Sequence, residues 1–477
     1  MSEFESTTLL FDSSNLDTSK IQLPSTNTEN KFGLLTLKSV PSLLTDKNLE
    51  IIFQVDCSGS MSDKCSDGRT KMHHILHTLK NMILYFKENP ALKVYITIHS
   101  FDDTIYNIVD RTNVTKDTYD QIIASIDTIT PRNSTNIEKA LNDTKEQLAK
   151  LKKEFPDNIY HQIFLTDGQT NAGAISHDTL HECVDDSITN AFIGFGMDHD
   201  AALLNAISTD EKSAYYFIDK LENAGLVYGE ILHGFVYKLL EDVDVTIKNG
   251  FIYNFKTNAW VKTLRIGDTI GESVKFYHIV SDTPTECTCQ ITGKKSTDGS
   301  NIVIDIHPQT DTDTNTNLDL TKYIYRHQTQ HLLYRINEFL QSERMNNNND
   351  FIDICQFKDN KNIEQTKILR ETLRELFEEL KKYMLDNGLQ DDIMLKNVCD
   401  DVYICYRTFG TNLAEMYCGA RMCSQGAQRA YTATHIPENY IEENELFHEV
   451  SGSIDTPYRS TTITQMMDYI NTTPNTL

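Results

Sequence analysis

The feature that most constrains this chain is an alternation. Between residues 47 and 242, apolar runs of strand length take turns with stretches of helical period. The strand-like runs are "LEIIFQV", "KVYITIHSF", "IYHQIFLTDG", "ITNAFIGFG" and "AYYFI". Between them, "TKMHHILHTLKNMILYFKE" sets Met72, Ile75, Leu79, Met82, Ile83 and Phe86 along one side of a helix. "YDQIIASIDTI", "IEKALNDTKEQLAKLKKEF", "DAALLNAIS" and "LENAGLVYGEILHGFVYKLLEDV" read as further helices. Such alternation predicts an α/β fold, a doubly wound, mostly parallel sheet with helices on both faces.

The rhythm changes on either side. Residues 1–46 are expected to be a flexible polar arm plus one strand, "FGLLTLKSV". From 243 to 308 the runs "VDVTIKNG", "FIYNF", "SVKFYHIVS", "TCQITG" and "NIVIDI" are short, with period two and no helix between them. They predict a small antiparallel β domain. "HPQTDTDTNTN" reads as a linker, and residues 318–432 as a helical region whose first two helices are parted by a loop at "ERMNNNND". From Glu438 to Asp468 there are seven acidic residues against one basic, and residues 433–477 are expected to be a disordered acidic tail.

In doubly wound sheets, ligands sit beyond the carboxyl ends of the strands. Three polar clusters fall where such loops belong. Asp56, Ser58 and Ser60 follow "IIFQV" directly, Thr135 stands in "RNSTNIEKAL" where a helix begins, and Asp167 follows "IFLT". All five side chains are hard oxygen donors, which suit Mg²⁺ or Mn²⁺ rather than Zn²⁺. Two carboxylates offset the charge of a divalent ion, and Gly59 permits a tight turn between the serines.

These motifs, in this order, resemble the metal-ion-dependent adhesion site of von Willebrand factor A domains. The resemblance covers about residues 47–240. It implies that Ser58 and Ser60 coordinate the ion directly and that Asp56 acts through water. Thr135 and Asp167 would exchange direct and water-mediated roles between affinity states, and a partner's Glu or Asp would fill the sixth position. One departure is the loop "PRNST", where relatives often carry glycines; Asn133 tolerates left-handed backbone and is expected to let the loop close. The order of segments, ending in "SQGAQRAY", also resembles a group of intracellular proteins of this family from eukaryotes and large DNA viruses.

Other features are weaker. His73 and His77 are four apart on a helix but lack a third ligand, and read as a partly exposed face. Cys57 has no His–Asp partner placed by the sequence, and neighbouring carboxylates would raise its pKa. No GxSxG elbow, Walker A loop or GxGxxG loop occurs, so no enzyme is expected. Trp260 is expected to pack in the β domain. Leu369, Leu373, Leu376 and Leu380 mark a core helix or an oligomerising seam.

A formal charge of −25 argues against a nucleic-acid or anionic-membrane partner. There is no secretory signal pattern or membrane-spanning run, and no CxxC pair among the ten cysteines, so a cytoplasmic setting is expected, or a virion if the chain is viral. The expected function is metal-dependent protein binding. The alternatives are a scaffold or virion component with the metal as a staple, or a non-catalytic subunit of an ATPase or ubiquitin-pathway assembly.

Overall fold

A computed structural model describes residues 3–12, 21, 30–44, 47–65, 68–167, 170–196, 199–218, 224–309, 320–346, 360–411, 413–431 and 456–472. The chain divides into two compact units. One comprises residues 1–42 and 238–460, the other residues 43–237 and 461–477.

The chain opens with β1 (Phe4–Phe11) and β2 (Lys31–Ser39), both in the first unit. The second unit then follows as β3 (Asn48–Asp56), α1 (Lys71–Glu88), β4 (Lys93–Phe101), β5 (Ile105–Asn113), α2 (Tyr119–Ile126), α3 (Ile137–Glu154), β6 (Ile159–Thr166), α4 (His177–Glu182), β7 (Thr189–Phe195), α5 (Ala201–Ala206), β8 (Ser213–Ile218) and α6 (Ala224–Val236). Its six strands run in the order β5-β4-β3-β6-β7-β8. All neighbours are parallel except β4 and β5. The expected mostly parallel sheet is therefore present, with β5 as an antiparallel edge that the sequence reading did not separate. β3 and β6 are buried along almost their whole length, as central strands covered on both faces must be.

Strand order decides where a site can form. From β3 the chain crosses to β4 on one side and returns to β6 on the other. Helices that diverge in this way leave a crevice at the carboxyl ends of β3 and β6.

Two readings change at the end of this unit. The helix expected to run on through "KLLEDV" stops at Val236, and Lys238–Lys248 is a strand, β9. From Val243 to Lys248 buried residues alternate with more exposed ones, which is strand periodicity. The acidic tail also holds a helix at Thr461–Thr472, which belongs to the second unit and packs on α6. Gly225 and Gly229 make that approach close: a Cβ on Gly229 would stand 2.5 Å from the Met467 Cα, and one on Gly225 2.4 Å from the Asn471 Cα. Ile463, Met466, Met467 and Ile470 are buried, so a short apolar stripe outweighs the acidic composition around it. Residues 433–455 and 473–477 of the expected tail, and residues 310–317 of the expected linker, lie outside the described residues.

The first unit continues with β9, β10 (Phe251–Asn254), β11 (Ala259–Val261), β12 (Thr263–Ile270), β13 (Val274–Ser281), β14 (Thr288–Lys295) and β15 (Asn301–Ile306). These strands form two antiparallel sheets, β1-β2-β13-β10-β11 and β12-β9-β14-β15. The antiparallel β domain is present, but it is completed from the N-terminus. β1, expected to be part of a flexible arm, pairs with β2 along its whole length, and β2 pairs with β13. Leu9, Leu35 and Ile279 of one sheet share a core with Val243, Val245 and Ile291 of the other.

The helical region is α7 (Thr321–Asn346), α8 (Asn360–Asp386), α9 (Ile393–Thr408) and α10 (Ala414–Ala427). α7 runs through the first residues of the expected loop at "ERMN". The third helical run divides in two near Gly410, whose φ of +95° no helix accommodates. Leu369, Leu373, Leu376 and Leu380 are buried within the unit, which selects the core helix over the exposed seam. A charged network lies inside: Arg421 Nη1 donates to Asp401 Oδ1 at 2.9 Å, and Gln425 Nε2 donates to Asp401 Oδ2 at 2.6 Å. The helix Thr461–Thr472 completes the set as α11.

Candidate metal centre

The loop after β3 turns inward at once. The Ser58 backbone N–H donates to Asp56 Oδ1 at 2.7 Å, an Asx turn that folds the serine back over the aspartate. Ser58 Oγ and Ser60 Oγ stand 3.1 Å apart, and Ser60 Oγ donates to Asp167 Oδ1 at 2.8 Å. Residues 58, 60 and 167 thus form one chain of side-chain oxygens at the carboxyl ends of β3 and β6, with Asp56 joined to it through the Ser58 N–H.

Thr135 comes from a third loop, fastened to both of the others. The Gly59 N–H donates to the Asn133 carbonyl at 3.1 Å, and the Arg132 N–H to the Cys57 carbonyl at 2.6 Å. A Cβ on Gly59 would stand 3.1 Å from the Arg132 carbonyl oxygen, so glycine allows this approach. The Thr135 N–H donates to Asn171 Oδ1 at 2.8 Å, and its carbonyl accepts from the Asn171 and Ala172 N–H groups. The loop closes as expected, without Asn133 taking left-handed backbone. Carbonyl acceptance by Asn133, with the bonds of Arg132 and Thr135, closes the loop instead.

The five side chains differ in electrostatic setting. Asp56, Ser58, Thr135 and Asp167 are buried. Burial pushes the Asp56 carboxyl up to about 7, and the charge of Asp167 adds to this; bonds from Thr166 and Ser58 work against it. Thr166 Oγ1 donates to Asp56 Oδ2 at 2.7 Å, so both Asp56 oxygens are engaged. Cys57 is pushed up to about 11, mainly by burial, with Asp102 and Asp56 contributing less. The sequence reading named only the carboxylates. A thiol held protonated is a poor nucleophile.

Three participants were missed from sequence. Thr166 satisfies Asp56, Asn171 clamps Thr135, and Lys71 Nζ donates to Asp167 Oδ2 at 2.8 Å. Thr166 stands next to Asp167 in "LTDG" and was within reach of local reading. Asn171 and Lys71 carry no local signal.

The donor chemistry fits a hard divalent cation. The side-chain atoms that Asp56, Ser58, Ser60 and Asp167 bring together are all oxygens, and two of the groups are carboxyls. Among the described residues, no group of three or more His, Cys, Asp or Glu is placed to hold a metal. On α1, His73 is exposed and His77 Nε2 lies 3.4 Å from Asn81 Nδ2. Among the described residues, no helix is long and apolar enough to cross a membrane.

The family model of the von Willebrand factor type A domain matches residues 50–229. No curated protein matches the sequence. Similar solved structures include a von Willebrand factor type A protein from Catenulispora acidiphila, at 17% identity and a TM-score of 0.48, covering 72% of this chain and 83% of that one. The ArnB paralog VWA2 from Sulfolobus acidocaldarius is 15% identical with a TM-score of 0.49, covering 89% of this chain and 98% of that one. Proximal thread matrix protein 1 from the mussel byssus, described with a zinc-occupied MIDAS motif, is 19% identical with a TM-score of 0.30, covering 37% of this chain and 45% of that one. Residues 50–229 of this chain are thus similar to a von Willebrand factor type A domain, over 180 of its 477 residues.

Proposed function

We propose that the domain binds a protein partner through a divalent cation, Mg²⁺ or Mn²⁺, held by Ser58, Ser60, Thr135 and Asp167, with Asp56 supporting the ion through water. The observation that carries this reading is the continuous chain of oxygens from Ser58 through Ser60 to Asp167, anchored on buried Asp56. A bound ion supplies an open coordination position that a carboxylate of the partner completes. The chain's own residues fix the oxygens, hold buried Asp56 against Thr166 beneath them, and lock the Thr135 loop to the other two.

Ion and partner each raise the affinity for the other by the same factor under this reading, since coupling free energy is reciprocal. No step needs a nucleophile or a proton relay, and the role is binding rather than turnover. The test is calorimetric titration of Mg²⁺ and Mn²⁺ into the full chain and into a Ser58→Ala/Ser60→Ala variant, followed by capture of partners in Mg²⁺ and in EDTA. Ion binding lost in the variant, with the same partners lost in EDTA and in the variant, supports the reading. Partners retained in both overturn it.

A further inference from the structure

Lys71 is in an adverse place on two counts. It is the first residue of α1, where the helix dipole disfavours a cation, and it is only 7% exposed, where a lone ammonium is costly. What offsets this is Asp167, whose Oδ2 accepts from Nζ at 2.8 Å, with Asp63 Oδ2 3.9 Å away. The other Asp167 oxygen accepts from Ser60 Oγ. The carboxylate offered to the ion by the third motif is therefore already shared between a serine of the cage and a buried ammonium. A Cβ on Gly196 would stand 3.4 Å from Lys71 Cε and Nζ, so the loop after β7 borders the ammonium.

We propose that Lys71 is the resident cation of this cage, holding Asp167 and competing with the divalent ion for it, so that Lys71 sets the ion affinity of the site. The proposal rests on the ion-binding reading above. Its basis is charge balance. With both buried carboxyls ionised, Asp56 and Asp167 carry two negative charges, and Lys71 cancels one of them. An arriving divalent ion then overshoots neutrality and meets a like charge on the same carboxylate. With a neutral residue at 71, the same ion brings the set to neutrality. Like charges sharing a partner in a water-poor site repel far more than at the surface.

The test is calorimetric titration of Mn²⁺ and Mg²⁺ into the full chain as wild type, Lys71→Met and Lys71→Arg. Methionine keeps the length and apolar stem without the charge; arginine keeps the charge. The expected result is at least tenfold tighter ion binding by Lys71→Met, with Lys71→Arg within about threefold of wild type. Wild type that binds ion while Lys71→Met binds no tighter overturns the inference alone. Binding by Lys71→Met but not by wild type supports the inference and overturns the ion-binding reading for the native chain. No binding by either overturns both. If Lys71→Met is unfolded in EDTA, Mn²⁺ is titrated to refold it, followed by circular dichroism. A refolding midpoint below the wild-type dissociation constant supports the inference, and failure to refold overturns it.

Discussion

Replacing Asp56 by Asn in ion-free protein turns a buried charge into a measurable pH dependence. The Asp56 carboxyl is raised from 3.8 to about 7 in the folded chain, with burial the largest cause. Between these values the unfolded chain has released the proton that the folded chain still holds. Stability from this group is therefore full at low pH and falls as pH rises through the folded value. At about 1.36 kcal/mol per pH unit, the full loss is on the order of 4 kcal/mol, and roughly 3 kcal/mol of it falls between pH 5 and pH 8. Asparagine has no charge to bury. Its Oδ1 still accepts from the Ser58 N–H, and its amide faces Thr166 Oγ1, a hydroxyl that can rotate to accept. In EDTA, the variant's stability relative to wild type is expected to rise by roughly 3 kcal/mol from pH 5 to pH 8. Carboxyls remote from Asp56 titrate alike in both proteins and cancel in the comparison. The only tryptophan, Trp260, lies in the other unit and does not report this domain. Hydrogen-exchange protection of peptides from β3 and β6 reads the domain directly, and roughly a hundredfold change in the ratio of protection factors corresponds to the expected shift. A ratio that is the same at pH 5 and pH 8 would refute the reasoning.

Three further outcomes follow from the same geometry. Thr166→Val removes a donor to ionised Asp56 and should move the pH at which wild-type stability falls to higher values, read by the same exchange experiment. Gly229→Ala drives a Cβ into the α11 backbone at Met467 and should destabilise the domain by about 1–3 kcal/mol, with residues 461–472 becoming more readily cleaved in limited proteolysis. Arg421→Met strands the buried Asp401 carboxylate and should destabilise the first unit by about 3–5 kcal/mol, measured by Trp260 fluorescence in urea; adding Asp401→Leu should recover part of the loss.

Much of the second unit is legible because its information is local. "LEIIFQV" and "IYHQIFLT" are apolar throughout, as buried parallel strands require, and the helices between them show their faces by period. The grouping of Asp56, Ser58, Ser60 and Asp167 was legible for a related reason. Asp56, Ser58 and Ser60 lie within five residues, and Asp167 follows a strand directly, so position along the chain implied position on the sheet. Errors came where neighbours in space outweighed neighbours in sequence. "KLLEDV" continues an apolar helical pattern but pairs as a strand with β12 and β14. "FESTTLLF" looks like a polar arm until β2 offers it an edge. The stripe Ile463, Met466, Met467 and Ile470 gains meaning only against glycines more than two hundred residues earlier.

The sequence by itself determined that a doubly wound sheet would form, which loops would meet at its carboxyl end, and that those loops would bring hard oxygens. Each of these follows from period, length and residue type within one segment. Only the tertiary structure decided the rest: that β3 and β6 are neighbours at the point where the crossovers diverge, that Asn171 clamps Thr135, and that Lys71 reaches the carboxylate of a residue 96 positions away. A chain with 44 basic and 69 acidic residues allows thousands of opposite-charge pairings, all equally compatible with local pattern. Packing selects one of them by burying both partners together, and that selection is a property of the folded chain.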